Sequence, residues 1–275
     1  MDHRASLQKS LDYIEDNLRS EISAAELAEM AGFSLFHYYR LFQQATGLPV
    51  MQYILRRRLL SGGASMGIHE SQSRFYENLV GRSLPFIQYI FPKLKELFPE
   101  QLADVDAFKF YRAVNKAEAG LIRTEADELT YCLHIMVRYE LEKQLVRGTL
   151  EVKDLPQAWN RLYKEYLGVD VPDDSRGCLQ DTHWSGGMIG YFPSYALGSA
   201  YGPQMMAKLR EEIGDVEADL AAGDLSRITA WLGEKIHRHA SYYKPGVLFE
   251  QVCGKFDAKY YTDYLTEKYT ELYQL

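Results

Sequence analysis

Glu70, Arg74 and Glu77 recur at i, i+4 and i+7 in the stretch His69-Glu70-Ser71-Gln72-Ser73-Arg74, which continues to Glu77-Asn78. On a helix these three share one face. A guanidinium that orients a neighbouring carboxylate prepares it to ligate a metal ion. The same spacing builds surface ion-pair ladders, and the pattern by itself favours the ladder. Arg123 opens Ile122-Arg123-Thr124-Glu125-Ala126-Asp127-Glu128. There it can grip a carboxylate through two parallel hydrogen bonds, while Asp127 and Glu128 suit the positive end of a helix. Gln180-Asp181-Thr182-His183-Trp184 sets a carboxylate near an imidazole. Asp181 can then set the tautomer of His183 or line a polar wall, although a His beside Trp is more often packed than catalytic. His237-Arg238-His239 makes a poor metal pair, because i and i+2 point apart on a helix. None of the seven histidines (His3, His37, His69, His134, His183, His237, His239) begins an HExxH.

A different chemistry is written into the first sixty residues. Two short helices joined through Gly32, the second starting at Ser34, suit a helix-turn-helix. The N-terminal residues of that second helix, Ser34, Leu35, His37 and Tyr38, would meet base edges in a major groove. Arg40 and the Arg56–Arg58 cluster would hold phosphates, which adds affinity without sequence information. The plainer alternative is a small helical bundle with solvated arginines.

The elements that must position these residues are mainly helical. Leu7, Leu11, Ile14 and Leu18 form one apolar stripe. Ser23-Ala24-Ala25-Glu26 is a capping box, Gly32 and Gly47 are helix stops, and Pro49 begins a fourth helix. Ser61-Gly62-Gly63-Ala64-Ser65 marks the boundary, which divides the chain into residues 1–60 and 61–275. Beyond it, Leu129, Leu133, Met136, Leu141 and Leu145 predict the buried stripe of a long helix, and Trp159–Leu167 and Tyr260–Leu275 two further helices. The Gly-rich, aromatic stretch Gly177–Gly198 reads as loop with a few short strands, the kind of segment on which sites lie.

Composition narrows the functions open to such a chain. Of 275 residues, 47% are hydrophobic and 21 are Tyr, far too apolar for a disordered chain. The formal charge of −7 falls wholly on residues 61–275, which argues against nucleic-acid binding there. Three scattered cysteines without a CxxC suit reduced thiols and a cytoplasmic location. The N-terminus does not resemble a signal peptide, and no apolar run is long enough for a membrane span.

The stretch AELAEMAGFSLFHYYRLFQQATGLPVMQYILRRRLL resembles the DNA-binding region of AraC-type transcriptional regulators, through the spacing of Ala28, Gly32, Ser34, Arg40, Phe42, Gly47, Pro49, Tyr53 and Arg58. It matches the first of that family's two helix-turn-helix units; the second does not follow. The resemblance implies weak, salt-sensitive DNA binding through residues 1–60.

Residues 62–275 resemble the carboxypeptidase Taq family of metallocarboxypeptidases. The match runs through HESQSR with its EN, IRTEADELTY, GxxQDxHW, GYFPSYxLG, IHRH and YLTEKY, with Ala240 where the family often has Gly. The resemblance implies a mostly helical, cytosolic, commonly dimeric enzyme that removes residues from peptide C-termini with one metal ion. It assigns Glu70 as the third zinc ligand, Arg123 and Arg238 to substrate binding, and Gln180, Asp181 and His183 to the catalytic cleft. In that family two histidines and the general-base glutamate come from an HExxH before the HESQ segment. Here the helix-turn-helix-like piece stands in that place. The expectation is therefore zinc binding that is weak or absent, and a peptidase-like protein inactive by itself. The alternatives are a DNA-binding regulator with a peptide-sensing domain, and a recombination relic without selected activity.

Overall fold

The computed structural model describes residues 3–17, 22–51, 53–54, 66–239 and 242–275, with side chains from Ser6 onward. Leu18, the Arg56–Arg58 cluster, the Ser61–Ser65 boundary and Ala240 lie outside the described residues. Contacts divide the chain into two compact units. One is Met1–Ala64 with Gly233–Lys244, and the other is Ser65–Leu232 with Pro245–Leu275.

In the first unit, α1 (His3–Asp16), α2 (Ala24–Met30) and α3 (Leu35–Thr46) are set by their caps. Ser23 Oγ accepts from the Glu26 N–H, and the Glu26 carboxylate accepts from the Ser23 N–H, so two orphan donors are satisfied reciprocally. Ser34 Oγ accepts from the His37 N–H to start α3, and Gly47, at φ 77°, stops it in the left-handed region. Ile14, Leu27, Tyr38, Phe42, Val50 and Ile54 form the core. Tyr38 is 0% exposed, and its hydroxyl donates to Ser10 Oγ across 3.0 Å.

The second unit is also helical. It begins with α4 (Met66–Arg74), which runs into a π-helical segment (Phe75–Gly81), then α5 (Leu84–Leu97) and α6 (Ala107–Val114). A 3-10 turn (Arg123–Glu125) leads into α7 (Glu128–Val146), followed by α8 (Leu155–Leu167) and the long α9 (Pro193–Ile213). The remaining helices are α10 (Val216–Ala222), α11 (Ser226–Lys235, whose last turn belongs to the first unit), α12 (Pro245–Cys253) and α13 (Lys259–Tyr273). α9 packs against α4, α7, α12 and α13. Its contact with α4 is close because Gly198 has no side chain: a Cβ there would stand 2.8 Å from the Glu70 Cβ. α7 and α8 enclose Val137, Leu141, Trp159 and Tyr163. Ile87, Tyr111, Tyr269 and Leu272 join α5, α6 and α13.

Two sequence expectations change. Among the described residues there is no strand. Gly177–Gly198 is a run of turns, followed from Pro193 by the first turns of α9. Proline at the first helical position is preorganised for a helix, and a strand there would lack a neighbour to satisfy its backbone. The apolar stripe of α7 is buried only in part: Leu141 lies in the core and Leu133 packs against it. Leu129 and Met136 are 40% and 47% exposed, whereas Glu128, His134, Arg138 and Glu142 are buried. The buried face thus carries polar groups among its apolar ones, because those polar groups find partners on other segments.

Candidate functional site

The charged centre of the second unit is built by three separate segments. Arg123 projects from the 3-10 turn, Arg138 from the middle of α7, and Gln180 and Asp181 from the turns that follow α8. Asp181 is gripped on both oxygens: Arg123 Nη2 donates to Oδ1 at 2.6 Å and Arg138 Nε to Oδ2 at 2.6 Å. Arg123 Nε donates to the same carboxylate at 3.1 Å, so the arginine binds it in the bidentate manner its planar fork favours. Burial opposes the charge on Asp181, but the hydrogen bonds and charges of the two guanidiniums outweigh it and hold its pKa below the ordinary value. Gln180 Oε1 accepts from Arg138 Nη2 at 2.8 Å and from the Arg123 N–H at 2.9 Å. Its amide nitrogen donates back to the carbonyls of Leu121 and Gly177. The pairs are nearly dry, with side-chain exposures of 8% for Arg123, 0% for Arg138 and 9% for Asp181. In such a setting a fixed charge acts strongly on a ligand, and an unpaired one is costly.

His183 lies beside this node against Phe192, with ring centroids 4.4 Å apart. Its Nε2 is 3.0 Å from the Tyr195 hydroxyl. Burial raises the Tyr195 pKa to about 12, so the phenol keeps its proton. Burial also lowers the His183 pKa. A neutral imidazole that accepts from this phenol carries its hydrogen on Nδ1, which faces Asp181 Oδ1 at 3.7 Å. That separation is too long for a hydrogen bond, and Nδ1 has no other partner. Tyr195 therefore orients this histidine, while Asp181 acts on it only through its field.

Glu70 reaches the same neighbourhood through Arg74 and Tyr131. Arg74 Nε stands 3.5 Å from Glu70 Oε1, and Nη1 donates to Glu77 at 3.0 Å. The ladder thus survives the change from α-helix to π-helix after Arg74. The Arg74 guanidinium sits 3.9 Å over the Tyr131 ring, while the hydroxyl of that ring accepts from Arg123 Nη1 at 3.2 Å. Zinc does not fit Glu70 as it stands. Among the described residues no three His, Cys, Asp or Glu side chains gather as a metal group, and a catalytic zinc needs three protein ligands with a position left open.

Arg238 belongs to the first unit, exposed on the 3-10 turn His237–His239, and is not one of the residues built into the Asp181 node. In the first unit Ser34, Leu35 and Arg40 are exposed on α3 and His37 is half-buried. Tyr38 is a correction. It points into the core with Phe42 one turn on, so it cannot touch a base edge. The exposed aromatic of this helix is its neighbour Phe36, at 80%.

Several residues of the site escaped the sequence. Arg138 donates to four residues, Asp181, His134, Tyr163 and Gln180, yet a single arginine in an apolar helix reads as solvent-facing. Tyr163 links α8 to the node, with its hydroxyl 3.1 Å from His134 Nδ1 and 3.3 Å from Arg138 Nη1. Glu142 accepts from Trp184 Nε1 at 2.8 Å and from the Gly190 N–H at 2.5 Å, pinning the Gly-rich turns to α7. The one local signal for these residues was the four-residue step from His134 to Arg138 to Glu142, a polar stripe inside an apolar helix.

Residues 42–269 match the family described as carboxypeptidase Taq (M32) metallopeptidase, and residues 14–55 match bacterial regulatory helix-turn-helix proteins of the AraC family. Carboxypeptidase 1 of Bacillus subtilis is 46% identical over 217 residues, which is 78% of this chain and 43% of that protein. The crystal structure of an M32 carboxypeptidase from Deinococcus radiodurans superposes with a TM-score of 0.76 at 46% identity, covering 78% of this chain and 44% of the other. The multiple antibiotic resistance protein MarA of Escherichia coli is 39% identical over 54 residues, 20% of this chain and 42% of its own. The chain thus spans less than half the length of each of these relatives.

Proposed function

Because the chain belongs to the carboxypeptidase Taq (M32) metallopeptidase family, we propose that residues 61–275 supply one wall of a cleft for peptide C-termini and are hydrolytically silent by themselves. The observation that carries this reading is Glu70, a single carboxylate paired with Arg74 and not gathered with other ligands among the described residues. One carboxylate neither holds zinc tightly nor replaces the general base of an HExxH, which this sequence lacks. Arg123 is the candidate for the substrate's terminal carboxylate. Asp181 and Gln180 hold its backbone and one edge, which leaves Nη1, now on the Tyr131 hydroxyl, as the group nearest to exchange. His183 and Tyr195 line the same wall. The reduced thiols support a cytoplasmic location, and no described helix is long and apolar enough to cross a membrane. A homodimer is the expected assembly.

Hydrolysis of a blocked dipeptide in the presence of zinc tests this, with Glu70→Ala as control. The expected result is no turnover above the control. Zinc-dependent turnover that Glu70→Ala abolishes would overturn it.

A second reading has its own observation, the Ser34-capped α3 with Leu35 and Arg40 exposed. Residues 1–60 would then form a DNA-binding domain, with contacts from Ser34, Leu35, His37 and Arg40. A gel shift at moderate salt, weakened by Arg40→Ala, supports this reading, and the absence of any shift at micromolar protein removes it.

A further inference from the structure

We propose that a second site in the larger unit, away from the Asp181 node, binds a small zwitterion: a free α-amino acid or a short peptide. The site is a cavity of about 510 Å³ between the π-helical segment, the start of α5, α9 and α13, a size suited to a small molecule. Asn78 lines it. This side chain is 5% exposed, and its Oδ1 is buried without a hydrogen-bond partner. A buried amide oxygen left unpaired costs about 1–3 kcal/mol, a cost carried in the backbone segment that forms one wall of the cavity. Asn78 stands in the π-helical segment, a rare backbone form that recurs at functional sites.

The charges around Asn78 come in two sets on different walls. Arg82 follows the π-helical segment, and Arg210 comes from α9. Each spends one Nη2 on a glutamate, Glu77 and Glu217 respectively, and a guanidinium has five donors, so each keeps others. Ser83 caps the 14-residue α5 at the cavity, which adds the partial positive charge of a helix start. From α13 come Asp263, Glu267 and Glu271, spaced at i, i+4 and i+8 along one face. Lys268 is already committed, donating to Glu128 at 2.7 Å and to the Tyr264 hydroxyl at 3.1 Å. Tyr111, Pro203 and Met206 give the cavity an apolar lining. The acidic wall disfavours a plain phosphate or other anion, and the arginines disfavour a plain cation. An ammonium and a carboxylate a few bonds apart, with a side chain between them, match both walls and the lining. This inference does not depend on whether the chain hydrolyses peptides.

Calorimetric titration of the full chain with L-leucine and with glycyl-leucine tests the site and separates the two sources of the same chemistry. N-acetyl-leucine removes the ammonium and leucinamide the carboxylate. Saturable binding of at least one zwitterion is expected, with each blocked form about tenfold weaker, the loss of one charge-assisted contact. Glu267 is exposed, so Glu267→Gln leaves the fold intact. It should weaken the zwitterions about threefold or more, by removing part of the ammonium partner, and leave N-acetyl-leucine unchanged. No saturable heat at millimolar ligand overturns the proposal. So does binding of the blocked forms as tightly as the zwitterions, or displacement of L-leucine by inorganic phosphate.

Discussion

Helices α3 and α7 both bury apolar residues, but only α7 buries charge with them. α3, in the small unit, keeps Tyr38 and Phe42 inside and Leu35, Phe36 and Arg40 outside. α7, in the large unit, turns Glu128, His134, Arg138 and Glu142 inward beside Tyr131, Ile135, Val137 and Leu141, and leaves Leu129, Met136 and Tyr139 exposed. A short helix in a small bundle has little more than an apolar stripe with which to bury itself. A helix surrounded by other segments can bury charge, provided each charge meets a partner. α3 is thus held by packing, and α7 by packing together with a polar network that fails if one member is removed.

The largest expected effect tests that network. Asp181→Ala leaves the Arg123 and Arg138 guanidiniums buried without their shared carboxylate and should destabilise the second unit by about 3–5 kcal/mol. Urea unfolding followed by tryptophan fluorescence reads this unit selectively, since Trp159, Trp184 and Trp231 all lie in it. A loss under about 1 kcal/mol would mean that the node is solvated and the comparison with α3 is false.

Phe42→Ala makes the matching cut in α3. Loss of a fully buried aromatic should cost the first unit about 3–4 kcal/mol, read by amide hydrogen exchange of α1–α3, while the tryptophan signal of the other unit stays unchanged.

Acid sharpens the contrast, because α7 buries a neutral histidine and α3 does not. Burial, followed by the charge of Arg138, lowers the pKa of His134 from 6.5 to about 4. Between those values the unfolded chain takes up a proton that the folded chain refuses. Stability is therefore full above about pH 6.5 and falls by about 3 kcal/mol as pH drops to about 4. Denaturant midpoints by tryptophan fluorescence at neutral pH and near pH 4 measure this, and a His134→Gln variant should lose that part of the slope.

The smallest effect is expected on the outward face of α7. Met136→Ser should shift stability by no more than about 0.5 kcal/mol, although a reading of hydrophobicity alone would rank it with Phe42→Ala. A loss of several kcal/mol in the same unfolding assay would show that this face is covered in solution, and would remove the distinction between the two helices.

What was legible in the chain follows from the range of the interactions. The caps at Ser23, Ser34 and Gly47 are written within a few residues of where they act, and each is found as expected. The ion-pair ladder of Glu70, Arg74 and Glu77 is local too. Tyr38 was misplaced because deciding which turn of a recognition-like helix faces inward requires knowing where α1 and Ser10 lie. Arg138 was missed because the Asp181 that accounts for it is 43 residues away. The expected strands in Gly177–Gly198 failed because pairing is a property of a neighbour, and none is supplied among the described residues.

By itself, then, the sequence determined the helical character of the chain, its helix ends, its two family motifs and the lack of an HExxH, all of which depend on residue type and short spacing. Only the tertiary structure decided that Arg123 and Arg138 share one carboxylate, that Tyr131 joins the Arg74 and Arg123 guanidiniums, and that arginines of two segments and carboxylates of α13 line one cavity. Those are encounters between distant segments, and their energies depend on burial and partner geometry that no local pattern contains.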